Sequence, residues 1–273
     1  MITLKTDHAT ATVSPYGAQV MSFIPHGQPD VLWRTTPDFL QAALVKGKAL
    51  RGGIPVCWPW FLGHPTVEGA PSHGVGRIME WDLVTHEERA DEARAVLAVE
   101  LDGTDAAWPY KTRGELEVVL TDALVVRLVT ENLSGEPFTL TQALHTYVRV
   151  GDIANVRVEG LEGAVRRHVS SGTPYGPHEG PFVFMEETEQ LVRPVSELVL
   201  RDVSLERVVT VTNKGSREFV VWNPWIEKAK GLDMPPEDYK QMVCLEAANI
   251  DGAVVVEAGG RHVLETRIAV GRG

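Results

Sequence analysis

The sequence predicts an all-β protein, a large β-sandwich or barrel formed by a single domain over residues 1–273. Three observations carry this. Apolar residues recur at a period of two in many short runs, the spacing of strands that bury one face. Helical periodicity never extends beyond two or three turns. Glycine and proline, 25 and 17 in number, gather at 52–76 and 171–181, where long loops should lie over the sheets.

Taken in order, residues 37–43 read as a short helical turn behind Pro37. ELEVVL at 115–120 is a strand, 121–123 a tight turn, and 124–130 its partner, together a hairpin rich in β-branched residues. Residues 132–137 form a loop by composition, and 138–150 read as one strand closed by Gly151 and Asp152. Runs at 198–205, 207–213, 219–223, 242–247, 253–257 and 262–270 follow the same rule, with a helical turn at 226–231. Gly259 and Gly260 suit a two-residue hairpin turn between the last two runs. No internal repeat, low-complexity tract or linker divides the chain.

Composition narrows the function. A formal net charge of −11 opposes nucleic-acid binding, whose affinity comes largely from Lys and Arg on phosphate, and opposes anionic membrane surfaces too. No apolar run approaches the ~20 residues of a membrane span, and residues 1–8 lack a signal-peptide pattern. Two cysteines, Cys57 and Cys244, give neither a disulfide framework nor a zinc spacing. Nucleotide, hydrolase and zinc-protease motifs are missing. The expectation is a cytoplasmic monomer without metal or cofactor, acting on something small or on another protein.

Three segments depart from ordinary core or turn sequence. In the first, RGGIPVCWPW at 51–60 runs on to SHGVGR at 72–77 and Trp81. Glycines allow close backbone approach to a ligand, Arg51 and Arg77 offer forks for phosphate or carboxylate, and a tryptophan beside the loop offers a flat face for a sugar ring. The same residues also suit a rigid surface loop with ordinary ion pairs. In the second, His145 interrupts the apolar ALHTY run, with alternation placing Ala143, His145 and Tyr147 on one face. A histidine there is either a hydrogen-bonded core residue or a proton carrier near neutral pH. In the third, VWNPW at 221–225 leads to CLEAAN at 244–249. There Glu246 either sits desolvated among apolar neighbours that raise a carboxyl pKa towards general-base values, or is a strand-end carboxylate that reaches solvent or pairs with an arginine. Cys57 reads as a buried structural thiol, and Trp222, Pro224 and Trp225 as a packing corner.

Together these segments resemble the aldose 1-epimerase (mutarotase) superfamily, above all its glucose-6-phosphate 1-epimerase, or D-hexose-6-phosphate mutarotase, branch. The matching motifs are RGGIP at 51–55, HGVGR at 73–77, ALHTY at 143–147, VWNPW at 221–225 and CLEAAN at 244–249, in family order. The resemblance implies a galactose-mutarotase-like supersandwich and an isomerase that interconverts anomers of a hexose 6-phosphate by opening and reclosing the ring. It makes Glu246 the base at the anomeric hydroxyl and His145 the acid at the ring oxygen. It also places Arg51, Ser72, His73, Arg77 and Glu189 against the substrate, the two arginines on the 6-phosphate. Where the family has E-T-D-R, this chain has Glu187-Thr188-Glu189-Gln190, a carboxylate one methylene longer followed by a neutral residue.

Overall fold

Alternation gives a strand one face to bury, and the computed structural model of residues 1–273 shows antiparallel sheets built on that rule. In chain order the first strands are β1 (Ile2–Lys5), β2 (Ala9–Ser14), β3 (Gln19–Pro25), β4 (Val56–Cys57), β5 (Asp82–Glu88) and β6 (Ala93–Asp102). They are followed by β7 (Lys111–Leu120), β8 (Leu124–Asn132), β9 (Phe138–Leu144), β10 (Tyr147–Arg149), β11 (Val156–Glu159) and β12 (Val165–His168). The last six are β13 (Thr188–Arg193), β14 (Glu197–Asp202), β15 (Arg207–Lys214), β16 (Glu218–Asn223), β17 (Met242–Val256) and β18 (Arg261–Arg272). Two short helices, α1 (Pro37–Val45) and α2 (Trp225–Ala229), match the predicted helical turns to within two residues. No helix is long and apolar enough to cross a membrane.

Strands β1–β3 form a small sheet. A seven-stranded sheet runs β12-β13-β16-β17-β9-β4 with β10 beside β17, and an eight-stranded one runs β11-β14-β15-β18-β8-β7-β6-β5. One continuous core joins Leu116, Leu128, Val209 and Leu264 of the larger sheet to Leu144, Val221, Leu245 and Ala247 of the other. The predicted sandwich is therefore what the chain adopts, and the inner faces of its two large sheets supply the core.

Four local expectations are corrected. The 138–150 strand is two strands, broken at His145 and Thr146. There the Thr146 N–H donates to the Leu144 carbonyl (2.9 Å) and the His145 N–H turns to the Pro55 carbonyl (3.0 Å). The runs at 242–247 and 253–257 are one strand, β17, whose register against β9 shifts between Asn249 and Val254. Gly259 and Gly260 do not close a hairpin, because β17 and β18 lie in different sheets. Asn132 holds this corner instead: its backbone exchanges hydrogen bonds with Gly259 and Gly260 (3.0 Å each), and its side chain donates to the Val256 carbonyl (2.9 Å). The 198–205 run stops at Asp202, whose carboxylate accepts the Leu205 and Gly151 N–H groups (3.1 and 2.9 Å) and turns the chain away.

Six strands precede the first one the pattern marks. β2 presents Ala9, Ala11 and Val13 inward, side chains too small to stand out as an apolar stripe. β5 is an edge strand with no fully buried residue, so it has no periodic signal to read.

Candidate active site

Period-two alternation also decides which side chains leave the core. In register, Glu189 on β13 lies opposite Trp222 on β16, Trp222 and Tyr147 each lie opposite Cys244 on β17, and Val220 lies opposite Glu246. These residues share the outer face of the seven-stranded sheet, on the far side from Val221 and Leu245. Over that face lies a cleft of about 330 Å³, lined by all seven of the singled-out residues: Arg51, Ser72, His73, Arg77, His145, Glu189 and Glu246.

The strand break displays His145. Its backbone is tied to Pro55, and its ring stacks on Tyr147 at 4.7 Å with 7° between planes. Nε2 then lies 3.4 Å from Oε1 of Glu246, a carboxylate that is 1 % exposed. Burial is the main reason the Glu246 carboxyl titrates well above 4.5; nearby Glu189 adds to the effect and Arg77 opposes it. Burial also pushes His145 well below 6.5, reinforced by His73, Arg77 and Arg51. Neither His145 Nδ1 nor Glu246 Oε2 has a protein partner. The Cys244 thiol lies within 4.8 Å of both ligand atoms, and burial keeps it protonated, its pKa raised well above 9.0. These donor types would suit zinc, and His145 with Glu246 has the chemistry of an acid/base couple.

The 51–77 loop supplies the cations. Arg51 donates from Nη1 to the Tyr147 hydroxyl (3.2 Å) and Arg77 from Nη2 to the Ser72 carbonyl (2.7 Å), while Nε of each has no partner. A guanidinium carries five N–H groups, so most of both forks are unused by the protein. His73 accepts the Leu62 N–H at Nδ1 (3.3 Å), which assigns its proton to Nε2. Burial, then Arg77 and Arg51, lower its pKa to about 3, so its ring is neutral.

Two details of this loop differ from expectation. Gly52 and Gly53, at φ +107° and +62°, approach the protein rather than a ligand: a Cβ would meet the Arg34 Cα at 2.2 Å and the Val20 carbonyl oxygen at 2.1 Å respectively. The loop's tryptophans are not sugar platforms either. Trp58 and Trp60 are buried, bolted by Nε1 to the Thr130 hydroxyl and the Pro71 carbonyl (2.9 Å each). Trp222, expected to be a packing corner, does pack against the core and also lines the cleft, edge-on to His145 at 6.0 Å. Cys57 is buried as expected, and burial pushes its thiol up to about 12.

Glu189 reaches the cleft with both oxygens held. Oε1 accepts the backbone N–H (3.1 Å) and the hydroxyl of Ser170, and Oε2 accepts from Lys228 Nζ (2.9 Å). Burial would raise its pKa, but these hydrogen bonds more than offset that and hold it low. Gln190 does not line the cleft; it accepts from Arg166 (2.9 Å), which also donates to the Gly176 carbonyl in the 171–181 loop. The E-T-D-R departure at 190 thus concerns a loop anchor. Sequence reading missed Lys228, Tyr147 and Ser170 as cleft residues; the one available signal for Lys228 was a cation just beyond the VWNPW corner.

The family described as Aldose 1-epimerase matches residues 1–269. The chain belongs to the aldose 1-epimerase family. A Salmonella typhimurium protein provisionally named glucose-6-phosphate 1-epimerase is 32% identical over 90% of this chain and 82% of its own length. A similarly named protein of Cenchrus ciliaris is 30% identical over 91% of this chain and 78% of its own. The crystal structure of a provisionally assigned Salmonella typhimurium mutarotase superposes with a TM-score of 0.88 at 29% identity, covering 99% of this chain and 90% of the other. As an aldose 1-epimerase family member the chain is an isomerase acting on a sugar, and its sandwich is the mutarotase-like one.

Proposed function

We propose that this family member interconverts the α and β anomers of a hexose 6-phosphate. The observation that carries this reading is a proton pair, His145 and Glu246 at 3.4 Å, in the same cleft as two guanidinium groups that the protein leaves largely unused. Ring opening needs a base at one oxygen of a hemiacetal, an acid at the other and a means of holding the sugar.

Arg51 and Arg77 hold the phosphate by charge-assisted hydrogen bonds, with Ser72 and His73 beside them, and Trp222 flanks the ring. In the reacting state the proton of the pair sits on His145, and phosphate on Arg51 and Arg77 lowers the cost of that imidazolium. Glu246, now a carboxylate, removes the proton from the anomeric hydroxyl while His145 Nε2–H protonates the ring oxygen. The C1–O5 bond breaks and the open-chain aldehyde forms. Rotation about C1–C2 exposes the other face, and reclosure returns one proton from O5 to His145 and the other from Glu246 to O1. In this reading the protein acts as a monomer, with residues 1–273 as one domain.

The test is anomer equilibration of freshly generated α-glucose 6-phosphate, followed by a β-specific dehydrogenase with and without the protein and repeated with glucose and galactose. Acceleration restricted to the phosphosugar supports the reading. Acceleration of free sugars alone retains the proton pair and discards the phosphate role. No acceleration of any of them overturns it.

A further inference from the structure

The tethers on Glu189 leave a remainder that can be counted. A carboxylate offers about four lone-pair directions. Ser170 takes two through its N–H and hydroxyl, and Lys228 takes a third, so one direction on Oε2 is left. The Lys228 ammonium carries three N–H donors. One goes to Glu189 (2.9 Å) and one to Glu187 (2.8 Å), so one is left. Both residues line the cleft.

Lys228 is placed there by a motif that proton transfer does not use. Trp225 sits at φ +53°, in the left-handed region where an L-residue is strained. Asn223 holds it: Oδ1 accepts the Trp225 N–H (2.8 Å), while Nδ2 donates to the Tyr239 and Met242 carbonyls (2.8 and 2.9 Å). The VWNPW corner thereby fixes the start of α2, and α2 carries Lys228 to Glu189.

We propose that Lys228 and Glu189 form a donor–acceptor clamp for one secondary hydroxyl of the sugar ring, with Lys228 a specificity-determining residue. A hydroxyl donates once and accepts, so it satisfies the free lone pair on Oε2 and the free N–H on Nζ at the same time. An anionic group does not fit, because it would face the carboxylates of Glu189 and Glu187. This inference rests on the reading of Glu189 as a substrate contact given above.

The experiment compares wild type, Lys228→Met and Lys228→Arg on glucose 6-phosphate and on its 2-, 3- and 4-deoxy analogues, by turnover and by calorimetric titration. Lys228→Met should raise KM for glucose 6-phosphate by roughly 10–100-fold, the range of a hydrogen bond to a charged group, with kcat nearly unchanged. Wild type should penalise one deoxy sugar by a comparable factor, and Lys228→Met should no longer distinguish that sugar from the parent. Lys228→Arg should restore most of the discrimination. The clamp is overturned if Lys228→Met weakens all four ligands equally, or if wild type discriminates against none of the deoxy sugars, a result that needs no variant to fold. If wild type turns over no phosphosugar, the proposed reaction falls, and titration of the same four ligands and their unphosphorylated counterparts judges the clamp separately.

Discussion

Arg77 is the cleanest place to test the phosphate role. Its one hydrogen bond within the protein runs from Nη2 to the Ser72 carbonyl, whereas Arg51 also supports Tyr147, on which the His145 ring stacks. Removing Arg51 therefore disturbs the proton pair, and removing Arg77 chiefly withdraws donors from the cleft. Hydrogen bonds to a charged group contribute about 1.5–3 kcal/mol each, so one lost contact corresponds to roughly 10–150-fold in kcat/KM. Arg77→Ala should lower kcat/KM for glucose 6-phosphate, relative to that for glucose, by about that factor. Arg77 also holds down the pKa values of both His145 and Glu246, so its loss moves the pH profile for every sugar. For this reason the quantity to compare is the ratio of the two sugars at one pH, measured by the coupled anomer assay. An equal loss for both sugars would refute the assignment of Arg77 to the phosphate and leave it a role in tuning the pair.

Glu246→Gln and His145→Ala should each lower turnover by at least ~100-fold, the reach of a general acid or base, with thermal unfolding confirming that both variants fold; near-wild-type rates in both would refute the roles. Glu246→Gln should also gain stability relative to wild type as pH rises. The folded carboxyl titrates above its unfolded value, so its stabilising contribution is complete below about pH 4.5 and is lost as pH climbs through the raised folded pKa. Denaturant midpoints from pH 4 to 8 should diverge in that direction, and parallel curves would exclude it. The profile of kcat for the phosphosugar should lie at higher pH than that of kcat/KM, because bound phosphate offsets the arginines that depress His145. Coincident profiles would show that phosphate does not reach the pair.

What was legible in the sequence divides along physical lines. All seven residues singled out from the motifs meet in one cleft, since motif residues carry chemistry that does not depend on which strand lies beside which. The sandwich was legible for the same kind of reason: β7 and β8 alternate cleanly, and each face follows from its own residues. The break after Leu144 was not, because the period of two continues through it. What breaks the strand is a bond from His145 to Pro55, 90 positions away. Aromatic identity says that tryptophan prefers burial but not against which partner, so neither the full burial of Trp58 nor the cleft position of Trp222 could be read. Lys228 was invisible because its role depends on β13 lying beside β16, a pairing that no local pattern encodes. The corner at Gly259 was misread because the turn residues are those of a hairpin, and only Asn132 on a distant strand redirects them.

The electrostatics of the site explain why a protein with a net charge of −11 can be suited to an anionic sugar. Overall charge governs long-range attraction, and salt at physiological strength screens it beyond about 8 Å. Inside the cleft the balance is local and reversed. His73 is neutral, burial raises the Glu246 carboxyl, and Glu189 is matched by Lys228, so Arg51 and Arg77 stand out as the cations without a carboxylate partner. Those same charges, after desolvation, are among the forces that strip the proton from His145. Under the proposed function, a neutral sugar entering this cleft would leave them in place and the imidazolium disfavoured. A phosphosugar would offset them and lower the cost of the imidazolium that is to protonate the ring oxygen. The preference for a phosphorylated substrate would then be expressed in turnover as well as in affinity, because the group that anchors the sugar also sets the protonation state of the acid.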